Sequence, residues 1–141
     1  MAALVDTNVL VYRYDARFAA KQRVATDLLR RGLAEGSLRV PHQALLEFVA
    51  VVTRSPKGGT PLMKVEEAVR EAEELLTLFD VLYPSADLVR LGLRGMAAYR
   101  LSWFDAHLWA YAEHFGLSPL YSEDFQHERL YGTVRVVNPF V

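Results

Sequence analysis

Asp6, Glu47, Asp105 and Asp124 are the residues of this chain whose types and settings could do chemistry together. Asp6 closes the apolar run Leu4-Val5, and Asp124 lies in Tyr121-Ser122-Glu123-Asp124-Phe125. Glu47 interrupts the apolar stretch from Ala44 to Val52, where a carboxylate is costly unless a charge or hydrogen bond meets it. Asp105 follows Ser102 by three residues. Carboxylates gathered close together push each other's pKa upward, and a nearby cation reverses that penalty. Mg²⁺ or Mn²⁺ suits such an all-oxygen set, because it keeps several waters and needs only one or two direct carboxylates. The ion clamps a phosphodiester, acidifies a bound water and stabilises the leaving oxygen. The chemistry on offer is metal-assisted phosphodiester hydrolysis.

Each acid also admits a purely structural role. Asp6 could cap the helix that follows it, and Asp124 could close a turn with Ser122. Asp105 stands at capping-box spacing from Ser102. Glu47 could reach the surface along a narrow polar strip, and Glu123 competes with Asp124 as the acid of its segment, although spacing favours Asp124. His42, His107, His114 and His127 show no ligand spacing with the acids and read as packing or surface residues. Trp103, Phe104, Trp109 and Tyr111 read as core and interface packing, and Asp15, Asp80 and Asp87 as turn or helix-end residues.

Positioning these acids requires strands that end where helices begin. The first five residues form a short strand ending at Asp6-Thr7-Asn8, and a helical period follows that breaks near Asp15. The spacing predicts a helix over 18–34 with Val24, Leu28 and Leu29 inward and Gly36 as its C-terminal cap. A strand at 37–40 leads into a strongly apolar helix at 43–54, and 55–61 is a Gly- and Pro-bearing loop. An amphipathic helix at 65–78 carries a solvated acidic face. Further strands are expected at 79–82, 117–121 and 134–137, and further helices at 84–99 and 104–115. Short apolar strands alternating with helices imply a short central parallel sheet of about five strands flanked by helices, in one α/β domain over 1–141. In such a sheet ligands sit beyond the carboxyl ends of the strands, where Asp6 and Asp124 both fall.

Bulk composition excludes several classes. A chain of 141 residues, 52% apolar, can bury a core without staples. The absence of Cys removes disulfide frameworks, thiolate zinc sites and cysteine nucleophiles. No secretory leader or membrane-length apolar run is present, so a cytoplasmic protein with no membrane role is expected. The net charge of −1 is unlike a constitutive duplex binder, yet compatible with an acidic pocket set within a basic rim.

The ordered segments resemble the motifs of PIN-domain ribonucleases, especially VapC-type toxins. Leu4-Val5-Asp6-Thr7-Asn8-Val9-Leu10 resembles the first motif, Glu47 in its apolar helix the second, Phe104-Asp105-Ala106-His107 the third, and Tyr121-Ser122-Glu123-Asp124 the fourth. The ending Val134-Arg135-Val136-Val137-Asn138-Pro139-Phe140 is similar too. The resemblance implies a PIN-like fold in which Asp6 and Asp105 bind Mg²⁺ (or Mn²⁺) directly, with Asp124 close by. It gives Glu47 a role through water, and makes Asn8 and Ser122 supporting hydrogen-bonders. The family has Thr or Ser at the position of Ser122, so the hydroxyl is kept. The activity so implied is cleavage of single-stranded or structured RNA to 5′-phosphate and 3′-hydroxyl ends, by a homodimer with an antitoxin protein as partner. Two other α/β families fit less well. A haloacid-dehalogenase-type phosphatase needs an acid where Asn8 stands, and a receiver domain needs paired early acids and a late Lys, whereas the last Lys is Lys64. A PIN-like module without catalysis would have lost one of the acids, and all four are present.

Overall fold

The central strand explains the architecture. In the computed structural model, which describes all 141 residues, β1 (Ala3–Val5) is buried along its whole length. An unbroken apolar strand of this kind belongs in the middle of a parallel sheet covered on both faces. Successive side chains alternate between the faces. Ala3 and Val5 accordingly enter one hydrophobic core, and Leu4 enters a second one opposite.

The chain leaves β1 through α1 (Thr7–Tyr12), a 3₁₀ turn (Ala16–Phe18) and α2 (Ala19–Glu35) to reach β2 (Leu38–Pro41). Then come α3 (His42–Thr53), α4 (Val65–Leu78) and β3 (Asp80–Leu82). The second half runs through α5 (Ala86–Tyr99) and α6 (Trp103–Phe115) to β4 (Leu120–Tyr121), β5 (Leu130–Tyr131) and β6 (Val134–Val137). The strand order is β3-β2-β1-β4-β6-β5, and every pairing is parallel except β5 with β6. After β1 the chain builds outward on one side through β2 and β3, then returns to the other side with β4. The order therefore reverses between β1 and β4, and a crevice opens there at the carboxyl edge.

The first core takes residues from α1 to α4, the second from α5 and α6. Helices α5 and α6 pack closely because Gly92 and Gly95 lie against His107 and Trp109. Gly36 and Gly116 end α2 and α6 in left-handed conformation, φ 63° and 67°.

The expected elements are present, with four differences. The sheet has six strands rather than five. The extra one, β5, is two residues long, and it pairs with β6 across a Gly132-Thr133 turn too short to show a period in the sequence. Leu28 and Leu29 point inward as expected, but Val24 is 37% exposed, because the buried face of α2 is completed by Ala25 and Gly32 instead. The fourth strand is confined to Leu120–Tyr121 rather than 117–121, with Pro119 unable to donate to the ladder. The acidic face of α4 is not wholly solvated, since Tyr14 donates its hydroxyl to Glu71 at 2.7 Å.

Candidate active site

Strand register places the first pair of site residues. Leu4 and Val5 pair with Leu120 and Tyr121, and the Asp6 amide donates to the Tyr121 carbonyl at 2.9 Å. Asp6 and Ser122 therefore continue β1 and β4 side by side at the carboxyl edge. Asp6 is 5% exposed and Ser122 fully buried. Ser122 Oγ donates to Asp6 Oδ2 at 2.5 Å and accepts the Asp124 amide at 3.0 Å, which turns the chain so that Asp124 follows at the same edge. Asp6 also caps α1, its Oδ1 accepting the Thr7 amide at 2.6 Å. Capping and site membership are compatible, because one oxygen serves the helix and the other faces the crevice.

The two helical acids arrive from opposite faces of the sheet. Helix α3 begins where β2 ends, so Glu47, one turn in, stands beside α1. Its Oε2 accepts from Thr7 Oγ1 at 3.1 Å and its Oε1 from Gln43 Nε2 at 2.8 Å. Helix α6 leads into β4, so its first turn lies at the carboxyl edge and carries Asp105, capped by Ser102. A carboxylate in the first turn also suits the positive end of the helix dipole. Gln43 Nε2 donates to the Phe104 carbonyl at 2.9 Å and so joins the two helix starts.

Asn8 separates two of the acids, its Nδ2 lying 3.2 Å from both Asp6 Oδ2 and Asp124 Oδ2. Asp6, Glu47 and Asp124 line one cavity of about 320 Å³ together with Asn8, Tyr12 and Phe18. Asp105 lies outside that lining, although it is near enough to Asp124 and Glu47 for both charges to act on it. Glu123 also lines that cavity, but its carboxylate is already engaged. It accepts from Tyr12 Oη at 2.7 Å and pairs with Lys21 at 2.9 Å, which leaves Asp124 as the acid of its segment beside Asp6.

The electrostatics are those of acids without a counter-charge. Asp6, Glu47, Asp105 and Asp124 take part in none of the ion pairs of the chain. Burial above all pushes the Asp6 carboxyl up to about 7; Asp124 and Glu47 add to the rise, against hydrogen bonds from Ser122 and the Thr7 amide. Asp105 is also raised, first by burial and then by Asp124 and Glu47, against its hydrogen bond with Ser102. Two buried acceptors beside the acids, Asn8 Oδ1 and Gln43 Oε1, have no donor. No three Asp, Glu or His side chains are grouped closely enough to chelate an ion by themselves. This donor set fits a hydrated hard cation, held by one or two carboxylates with its waters donating to the remaining oxygens.

Thr7 and Gln43 are positioning residues that the sequence reading did not single out. The signal for Gln43 was its place four residues before Glu47 on one helix face. Of the aromatic residues read as packing, Trp109 and Tyr111 are core, whereas Phe104 is 66% exposed. Asp15 caps the 3₁₀ turn and Asp87 lies in the first turn of α5, as expected of turn or helix-end residues, whereas Asp80 opens strand β3 and pairs with Arg39.

The family model for the PIN domain matches residues 3–132. No curated protein matches the sequence significantly. Among solved structures, the chain is similar to VapBC2 from Rickettsia felis, bound to a DNA fragment from its promoter. That likeness has a TM-score of 0.71 at 13% identity, over 96% of this chain and 97% of the other. It is also similar to VapC20 from Mycobacterium tuberculosis, a sarcin-ricin loop cleaving toxin, with a TM-score of 0.62 at 20% identity over 87% and 90%. DNA-bound VapBC from Salmonella typhimurium gives 0.67 at 15% identity over 96% and 97%. At these identities the likeness is one of fold.

The charge arrangement predicts how metal-free stability depends on pH. The Asp6 carboxyl has a folded pKa of about 7 against an ordinary 3.8. The stability that this protonated carboxyl favours is complete below about pH 4 and is lost as pH rises through 7. Asp6→Asn never ionises. In EDTA its urea-denaturation stability relative to the parent should increase by on the order of 2–4 kcal/mol between pH 4 and pH 8. A difference that stays flat across this range would show that Asp6 is not held against its charge.

Proposed function

We propose, from the premise that this chain belongs to the PIN-domain family, that it is a divalent-metal-dependent endoribonuclease and the toxin of a toxin–antitoxin pair. The observation that carries the reading is the buried Asp6 carboxyl, raised to about 7 beside Asp124 and Glu47 with no basic partner. Asp6, Asp105 and Asp124 would hold Mg²⁺ or Mn²⁺, one or two of them directly and the rest through its waters. When bound, the ion supplies charge neutralisation for a phosphodiester and acidifies a water.

The chain's own residues supply orientation. Glu47, fixed through Thr7 and Gln43, has lone pairs left to align the attacking water and accept its proton. Attack at phosphorus breaks the bond to the 3′ oxygen, leaving a 5′-phosphate and a 3′-hydroxyl. Ser122 and Asn8 hold Asp6 and Asp124 in register so that neither carboxylate swings away.

RNA as substrate is supported by the sequence motifs and by the fold likeness to VapC20, a toxin that cleaves the sarcin-ricin loop. An antitoxin partner is supported by the likeness to the DNA-bound VapBC complexes. Such an inhibitor would answer the acidic pocket with an Arg or Lys, since a guanidinium bridges two carboxylates where a cation would sit. A homodimer is supported by Leu46 and Phe104, 58% and 66% exposed near the acids, where a second copy could cover them.

Four outcomes are expected. Manganese-dependent cleavage of single-stranded RNA should disappear in Asp105→Asn, and Asn8→Ala or Ser122→Ala should reduce it about 10–100-fold, as loss of a supporting partner does. Calorimetry should show Mn²⁺ binding to the parent chain and weaker binding to Asp105→Asn; a parent that binds no Mn²⁺ and cuts nothing would be an interaction module. An Arg-bearing inhibitory peptide should lose affinity as Mn²⁺ rises, by linkage between ligands sharing one site, and binding indifferent to Mn²⁺ would place the inhibitor elsewhere. Light scattering should give a mass near twice the 16.0 kDa of the chain, and a monomer at micromolar concentration would remove the dimer.

A further inference from the structure

The acidic cavity does not end at its acids. Its far wall is Tyr12 and Phe18, and it adjoins a second cavity of about 760 Å³ with which it shares Val11, Asp15 and Val51. Arg17 and Arg54 line this second cavity. One groove thus passes from carboxylates, over an aromatic wall, to guanidinium groups.

The 3₁₀ turn after α1 builds the middle of the groove. Asp15 is only 3% exposed and commits its carboxylate to the next residues. It accepts the Arg17 amide at 3.1 Å and grips the Arg17 guanidinium at 2.9 and 2.8 Å. This fork–fork contact fixes the guanidinium while its side chain stays 71% exposed. Phe18 follows, 46% exposed although it is a large apolar ring, braced edge-on by Tyr12 at 5.6 Å. The Arg17 guanidinium and the Lys21 ammonium lie 5.7 and 5.8 Å from its centroid. Arg54 is exposed and takes part in no ion pair.

We propose that Phe18, Arg17 and Arg54 form a subsite for the nucleotides flanking the scissile phosphate of a single-stranded RNA, with one unstacked base on the Phe18 ring and neighbouring phosphates at the two arginines. An aromatic ring bracketed by cations, with an unpaired arginine further along, matches the alternation of flat bases and anionic phosphates in a single strand. It matches an apolar helix less well, because such a helix would have to cover Arg17 and Arg54. The subsite also supplies what the acids cannot: attraction for the phosphate backbone on one side of a negatively charged pocket. It rests on the nuclease reading for the identity of the scissile phosphate.

The test is fluorescence anisotropy of the full chain in EDTA, with a labelled single-stranded RNA octamer and variants lacking one base at a time. Phe18→Leu should weaken binding of the intact octamer at least about fivefold, the low end for stacking one base on a ring, and Phe18→Trp should preserve it. Removing one particular base should weaken the parent by the same factor and leave Phe18→Leu unaffected. Arg54→Gln should reduce the slope of log Kd against log salt by about 0.7, one single-strand phosphate contact, whereas Phe18→Leu leaves the slope unchanged. Equal affinity of parent and Phe18→Leu, or base-removal losses that simply add to the Phe18→Leu loss, would overturn the subsite. So would a Phe18→Leu protein that binds RNA normally but loses an Arg-bearing helical peptide, which assigns the ring to a protein partner. A parent that shows this pattern yet cuts no RNA with Mn²⁺ would sink the nuclease reading and leave the subsite standing. A parent that cuts RNA normally without the pattern would sink the subsite alone, and one with no affinity for RNA would sink both.

Discussion

A carboxyl group that is 5% exposed at the end of the central strand must be hydrogen-bonded on both oxygens, and much of the local structure at the carboxyl edge answers that need. Asp6 Oδ1 is satisfied by the start of α1 and Oδ2 by Ser122 and Asn8. The first contact requires a helix to begin at once after β1. The second requires β4, and no other strand, to lie beside β1 in register. The reversal of strand order at β1 and β4 is therefore what brings residues 6 and 122 together across 116 positions of sequence.

The same constraint sorts the other acids. An unpaired charge near Asp6 is costly in proportion to its proximity, so each neighbouring carboxylate is kept by its own donors at its own distance. Glu47 has Thr7 and Gln43, Asp105 has the first turn of α6, and Asp124 has the Asn8 amide between itself and Asp6. Glu123, adjacent in sequence to Asp124, is removed from the set by Lys21 and Tyr12. Lys21 serves as the counter-ion for Glu123, and no basic side chain pairs with Asp6, Glu47, Asp105 or Asp124. That asymmetry separates an ordinary structural ion pair from acids left without a counter-charge.

How much of this could be read from the sequence depended on the range of each interaction. Strand ends and helix starts are local, so Asp6 after Leu4-Val5 and Asp105 after Ser102 were legible, as were the left-handed glycines at 36 and 116. The fold class followed from apolar strands alternating with helices. Contacts fixed by register were not legible. Local spacing favoured Asp124 over Glu123, but the contact that occupies Glu123 comes from Lys21 on α2, about a hundred positions away. Gln43 looked like one polar residue at the start of an apolar helix, and its bridging position exists only because α6 starts beside α3. Val24 shows the complementary failure. A helical period gives a face only to within a residue, and the sheet beneath α2 selected Ala25 and Gly32, where Leu38 packs directly against the glycine. Strand β5 was too short to carry any pattern at all.

Net charge also proved a poor guide, for a physical reason. The formal −1 of the whole chain averages a groove whose two ends are opposite in sign. Electrostatic attraction for a polyanion acts over about a Debye length, roughly 8–10 Å in ordinary salt, so local arrangement outweighs the total. Asp15 adds nothing to the acidic end, since its carboxylate is held well below the usual range by the Arg17 guanidinium and serves to aim that group. The acidic end keeps phosphate away until a cation is present, while the arginine end attracts it without one. On the proposed reading, a polyanion meeting such a groove would be drawn in from the arginine side and held across the acids only with metal, so that the position of the strand, and not merely its affinity, would depend on the ion.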